Sequence, residues 1–155
     1  MSVPDDASSL LGDVGVAVVV TAVANPEALA ATCAIAKIGV DVVPSAIGAL
    51  AVCRTTAGDG PAQAAGTISR LLRGVPVALL ERREGQISAT SWLDGDRGGD
   101  LAPGLVLGSA PEVLEDLLLG TTTPADIDGG VSSVGMSRLK AMRTLAAAAR
   151  TARRG

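Results

Sequence analysis

The chain of 155 residues contains no histidine, no tyrosine and no phenylalanine, and Trp92 is its only aromatic residue. Without histidine it lacks the usual general base near neutral pH and the commonest metal ligand, which closes Ser-His-Asp, Cys-His and His-based zinc chemistry. With one aromatic, the core must be packed from small aliphatics, and stacking platforms for bases or sugars are nearly excluded. Asparagine occurs once, at Asn25, and lysine twice against 11 arginines, the residue usage of a GC-rich coding sequence. The two cysteines, Cys33 and Cys53, have no CxxC spacing and too few partners for a metal cage. They are expected to be reduced, packed thiols of a cytoplasmic protein, with no metal and no cofactor.

Long hydrophobic runs are missing too. The longest, Val14 to Ala24, spans 11 residues and includes Thr21, against the ~20 that a helix needs to cross a bilayer. Met1-Ser2-Val3-Pro4-Asp5-Asp6 is acidic where a secretory signal would be basic, so none is expected.

What the chain does contain is 48% apolar residues, mostly Ala, Val and Leu. At this length one core is expected, burying roughly 68–70% of the unfolded surface. Residues 1–13 read as a flexible lead-in, 14–150 as a single α/β domain and 151–155 as a basic tail. Val14 to Val20 is apolar on both faces, as in a strand covered on both sides. Asn25-Pro26-Glu27 starts a helix that runs to about Ile38, with Asn as cap and Pro in the first turn. Val40 to Ser45 reads as a connector and Ile47 to Thr55 as a second strand, parallel to the first across the helix. Gly58-Asp59-Gly60-Pro61 turns into a helix Pro61 to Arg73, which Gly74 stops. Val75 to Glu81 and Gln86 to Leu93 form a hairpin. Asp94 to Asp100 reads as a polar loop and Leu105 to Leu107 as a short strand. Ser109-Ala110-Pro111-Glu112 has capping-box spacing before a helix Val113 to Leu119. After a loop from Thr121 to Gly135, a last helix runs from about Met136 toward Arg153. The expected fold is mixed α+β, with about five strands in a mixed sheet, about four helices and the C-terminal helix packed on the domain.

Charge is segregated along the chain. All 16 acidic residues lie at or before Asp128, whereas Arg138, Lys140, Arg143, Arg150, Arg153 and Arg154 follow it with no acid among them. The tail therefore carries +6, and sixteen acids against seven bases leave the rest at −9. Helical spacing puts Leu139, Met142, Leu145, Ala146 and Ala149 on one face and the cations largely on the other. Those six cations are candidates for docking on a protein partner or on another copy of the chain. Nucleic acid or an anionic membrane is a weaker match, because neither aromatics nor a groove-reading motif accompany them.

Other patterns carry less chemistry. Asp94, Asp96 and Asp100 invite calcium, but Gly98 and Leu105 stand where the EF-hand loop needs an oxygen ligand and a glutamate. The Gly58 turn precedes a helix N-terminus, yet Pro61 removes an amide and Asp59 repels an anion. Ser137 and Lys140 have S-x-x-K spacing without its companion motifs. Glu81 and Glu84 flank a hairpin tip beside Arg82 and Arg83, where ion pairs contribute little. No catalytic residue is assigned, and the balance leans away from an enzyme.

From Leu105 to Leu145 the chain resembles the closing part of the sterol carrier protein type 2-like family. The resemblance rests on the Gly108-Ser109 turn, a helix ending Leu117-Leu118-Leu119-Gly120, then Pro124, Gly129 and Gly135, and a final helix with Leu139 and Met142. It departs from that pattern at Gly135-Met136, where the family has a glycine followed by an acid. The resemblance implies a cavity between sheet and C-terminal helices holding an apolar, lipid-, acyl- or sterol-like ligand. Its candidate lining is Trp92, Leu107, Val113, Leu114, Leu117, Leu118, Leu139 and Met142. The expected function is accordingly a small cytoplasmic binding domain without catalysis, an apolar-ligand carrier. The alternative is a scaffold or self-assembling adaptor that uses the basic helix.

Overall fold

Val16-Ala17-Val18-Val19-Val20 forms strand β1 (Val16–Val20), which is buried at its centre as its unbroken apolar pattern requires. The computed structural model describes residues 15–154, with side chains through Thr151. The expected lead-in over residues 1–13 and the side chains of Arg153 and Arg154 lie outside the described residues. After β1 come helix α1 (Pro26–Ile35), β2 (Val40–Val43), β3 (Leu50–Cys53), α2 (Gly60–Leu71) and β4 (Val77–Arg83). These four strands lie in the order β4-β1-β3-β2 with every neighbouring pair antiparallel. This is a pair of interleaved split βαβ units, the ferredoxin-like topology. A hairpin of β5 (Gln86–Leu93) and β6 (Asp96–Leu101) extends the sheet beyond β4, and β7 (Val131–Ser132) extends it beyond β2, giving seven strands among the described residues. Helices α3 (Pro103–Gly108), α4 (Glu112–Leu119) and α5 (Arg138–Arg154) complete the described chain.

The sheet is covered on both faces, and alternation along each strand divides the core in two. On one face Leu29, Ala30 and Cys33 of α1 and Ala64, Ala65 and Ile68 of α2 pack on Ala17, Val19, Val42, Ala51 and Leu79. On the other, Leu114, Leu117 and Leu118 of α4 pack on Val18, Leu50, Leu80 and Ala89, with Val106 and Leu107 of α3 alongside. Small aliphatics fill both layers, as the lack of aromatics demanded. The fold is thus the expected single mixed α+β domain, although among the described residues its strands number seven and its sheet is antiparallel throughout.

Several local expectations are borne out by specific contacts. Asn25 caps α1, its Oδ1 accepting from the amides of Glu27 (2.9 Å) and Ala28 (3.3 Å). Gly120 closes α4 in the left-handed conformation, φ +78°. The β4–β5 hairpin pairs Val77 with Trp92 and Arg83 with Gln86.

Four expectations are corrected. The connector at 40–45 contains strand β2, so β1 and β3, the expected parallel pair, are antiparallel neighbours; the parallel mate of β1 is β2, with β3 between them. The polar loop at 94–100 is a tight hairpin, because Asp94 (φ +50°) and Gly95 (φ +91°) adopt the turn that favours Asp-Gly and leave 96–101 as strand β6. Leu105 to Leu107 lies in helix α3, begun by Pro103 in its first turn, since a short apolar run suits helix and strand alike. Ser109 builds no capping box: Pro111 occupies the cap of α4, and the Ser109 hydroxyl donates back to the carbonyls of Leu105 (3.1 Å) and Val106 (3.2 Å). Residues 151–154 continue α5, as a last helix running toward Arg153 requires.

The edge strand β7 is tied down by one buried hydroxyl. Ser133 Oγ donates to the Ile38 carbonyl (2.6 Å) and accepts from the Val40 amide (2.9 Å), joining segments 93 and 95 residues apart. These bonds satisfy backbone groups where β2 begins.

Candidate functional site

On the face that carries α1 and α2, the helical layer stops at α2 while the sheet continues through β5 and β6. The uncovered floor is an open cleft of about 580 Å³, whose polar lining is Glu81 of β4, Ser88 and Thr90 of β5, and Arg97 and Asp100 of β6; Trp92, Ala62 of α2 and the apolar side chains of Leu79, Ile87, Ala89, Leu101 and Pro103 make up the rest. Cross-strand pairing brings these together: Glu81 lies opposite Ser88, Thr90 opposite Asp100, and Trp92 opposite Arg97. A register shift between Thr90 and Trp92 bends the strand there. A contiguous recess of about 520 Å³ continues past Trp92 along α2, lined by Asp59, Gln63, Thr67 and Arg70.

Trp92 is held from two sides. Its Nε1 donates to Thr90 Oγ1 (3.0 Å), and its ring edge lies over Gly66, where an added Cβ would stand 3.4 Å from Cζ3. Each cleft carboxylate has a guanidinium partner. Arg83 Nε donates to Glu81 (2.9 Å) while its NH2 group reaches the carbonyls of Thr56 (3.1 Å) and Gly58 (3.0 Å), and Arg97 pairs with Asp100 at 2.8 Å on the exposed rim. The floor therefore offers donors, acceptors and one aromatic plate with its charges matched.

The eight candidate pocket residues are not brought together. Leu114, Leu117 and Leu118 are buried core under one face of the sheet, with Leu107 and Val113 at its margin. Trp92 packs at the edge of the core on the opposite face. Leu139 and Met142 of α5 are 59% and 55% exposed. The reason is that α4 and α5 pack on different sides of the sheet: α5 lies along α1. The expected apolar face of α5 is also rotated, because the residues turned inward are Ala141, Thr144, Leu145 and Ala148, leaving Leu139, Met142, Ala146 and Ala149 outward. Among the docking candidates, Arg138, Lys140, Arg143 and Arg150 are exposed along α5.

The smaller motifs resolve into structural parts. Ser137 Oγ accepts from the Lys140 amide (3.1 Å) and so caps α5. Glu84 sits in the β4–β5 turn at φ +52°, apart from the ion-paired Glu81. Among the described residues no group of three or more His, Cys, Asp or Glu side chains is placed to hold a metal, and no helix is long and apolar enough to cross a membrane. The cleft and its lining were missed from sequence except for Trp92; the signal that could have found it is the polar face of the β4–β5 hairpin, Glu81, Ser88 and Thr90, alternating with buried residues.

Cys33 and Cys53 both belong to the core beneath α1 and α2. Burial pushes each thiol up to about 12 from an ordinary 9.0, helped by Cys53 at Cys33 and by the Glu81 carboxylate at Cys53. In the folded protein neither thiol is expected to react with an alkylating reagent near pH 8, where both become reactive in denaturant; mass spectrometry of the labelled protein checks this. Because the unfolded thiols ionise first, stability is expected to decline as pH rises from about 9 toward 12, and a Cys33→Ala, Cys53→Ala variant should lose that slope in alkaline denaturation.

Comparison with protein-family models, with curated proteins and with solved structures finds no match for this chain.

Proposed function

We propose that this chain is a small binding domain, without catalysis, that takes an uncharged polyhydroxylated ligand of the saccharide class in the Trp92 cleft. The observation that carries this reading is the position of Trp92: the only aromatic ring in the chain stands at the margin of the core and lines an open cleft. Composition leaves a single stacking platform, and this is it: indole combines an apolar face with rigidity, which suits the C–H face of a sugar ring. Around it, the hydroxyls of Ser88 and Thr90 and the paired Glu81, Asp100 and Arg97 supply a few convergent polar groups, the usual composition of a small-molecule site. Since each carboxylate already has its guanidinium, an ion would gain little by entering.

The apolar-carrier alternative draws less support from this geometry, because its candidate side chains are divided between two faces of the sheet and an acyl chain has no shared chamber to enter. The absence of histidine and the pairing of both cleft carboxylates favour binding over turnover.

As the sole fluorophore, Trp92 reports on the cleft directly. Titration with neutral mono- and disaccharides should give a saturable emission change with at least one of them, weakened at least tenfold by Asp100→Ala or Thr90→Val in a protein of unchanged circular dichroism. No saturable change with any saccharide would overturn the proposal; saturation by a fatty acid instead would return the carrier reading to first place.

A further inference from the structure

Helix α5 is held along one face only. Ala141 is fully buried and Thr144, Leu145 and Ala148 are half-buried, the i, i+3, i+4, i+7 stripe of a helix packed on a single neighbour, α1. Its 17 residues run about 25 Å, against about 15 Å for the 10 residues of α1, so much of α5 has no companion. A second stripe, Leu139, Met142, Ala146 and Ala149, faces solvent, and Arg143 and Arg150 stand exposed beside it. No acidic residue occurs on α5.

The opposite side of the sheet carries the complement. On α4, Glu112, Glu115, Asp116 and Leu119 follow the same i, i+3, i+4, i+7 spacing on the solvent face; Leu119 is 49% exposed, and Leu105 of the adjacent α3 is 78% exposed. No basic residue occurs on α4.

We propose that α5 of one copy docks on α4 of a second copy, setting Leu139 and Met142 against Leu119 while Arg143 and Arg150 face Glu112 and Glu115. Charge complementarity selects this occupant: α5 against α5 would set cations against cations, and α4 against α4 acids against acids. Because α4 lies on one face of the sheet and α5 lies on α1, which covers the other, the contact is head-to-tail. Each pair keeps one free α5 and one free α4, so assembly continues by the same contact instead of closing at two copies. Trp92 lies on neither helix, and this inference stands independently of the ligand reading.

The test uses two charge-reversed variants, Glu112→Lys with Glu115→Lys on α4, and Arg143→Glu with Arg150→Glu on α5. Light scattering at low ionic strength should show the mass of the unmodified chain rising with concentration beyond two copies and falling in about 1 M salt, where screening acts within about 3 Å. Either variant alone should stay monomeric, since both of its contact faces then carry one sign. An equimolar mixture should reassemble, because α5 of the first then meets α4 of the second. A chain that is monomeric at every concentration, a dimer that survives the α4 reversal, or a mixture that stays monomeric would each overturn the proposal. If a reversed variant loses helix content, the neutral pairs Glu112→Gln, Glu115→Gln and Arg143→Gln, Arg150→Gln should weaken assembly in the same direction, and no weakening would count as failure.

Discussion

Replacing Leu118 by alanine should destabilise the domain by about 3 kcal/mol, within the range of about 2–5 for a fully buried leucine. For a chain of this size that is a fall of roughly 6–12 °C in melting temperature. Leu118 is completely enclosed in the core with Val18, Leu80, Leu114 and Leu117, side chains already packed in place, so the gap closes only in part. Leu119, next in sequence, is 49% exposed. Its alanine variant should change stability by no more than about 0.5 kcal/mol. Thermal melts of the two variants measure which side of α4 faces the sheet. Equal losses would mean that α4 is rotated, and would remove Leu119 from the docking stripe as well.

Gly48→Ala should be comparably damaging, at about 2–6 kcal/mol. Gly48 holds φ +129°, and a Cβ there would overlap the Thr21 carbonyl oxygen and stand 2.9 Å from Ala22 Cα. Backbone strain of about 1–3 kcal/mol then adds to overpacking of similar size. The neighbouring bonds give way with it: Ala49 N–H to the Val23 carbonyl at 2.7 Å, and the Thr21 hydroxyl to the Ala49 carbonyl at 2.8 Å. Gly58 is the control, with φ +57° and nothing within 4 Å of an added Cβ. Its alanine variant should cost only the left-handed conformation, about 1–2 kcal/mol. Denaturant midpoints for the pair separate the two effects, and similar losses would mean that the chains do not approach closely at Gly48.

The sequence was readable wherever one residue decides a local conformation or a run of residues repeats one environment. Asn25 could only be a cap ahead of Pro26, Gly120 could only stop a helix, and the valines of β1 announced a strand covered on both sides. It was misread where a short element owes its conformation to neighbours. Val40-Asp41-Val42-Val43 becomes β2 because β3 and β7 flank it and Arg54 holds the Asp41 carboxylate through two nitrogens at 2.8 and 3.0 Å. Four residues bounded by a glycine and a proline looked like a connector. Asp96 to Leu101, with two glycines and two aspartates, has low strand propensity and is a strand because the Asp94-Gly95 turn returns it onto β5.

What the amino-acid sequence by itself determined is the class of this protein: a mixed α+β domain with an aliphatic core, a cationic last helix, no histidine chemistry and buried thiols. Composition and periodicity are properties of the chain, and burial of small apolar side chains has no alternative to them. Only the tertiary structure decided which surfaces are left over. It put α4 and α5 on opposite sides of the sheet, so the leucines that the family resemblance had gathered into one pocket became two separate features, a core and an exposed stripe. It also let the sheet outrun α2, so that Trp92 fell beside a floor of mixed polar and apolar side chains. The physical reason is that the hydrophobic effect is not directional: a pattern states that a face must be covered, and only long-range packing settles which element covers it and which is left facing water.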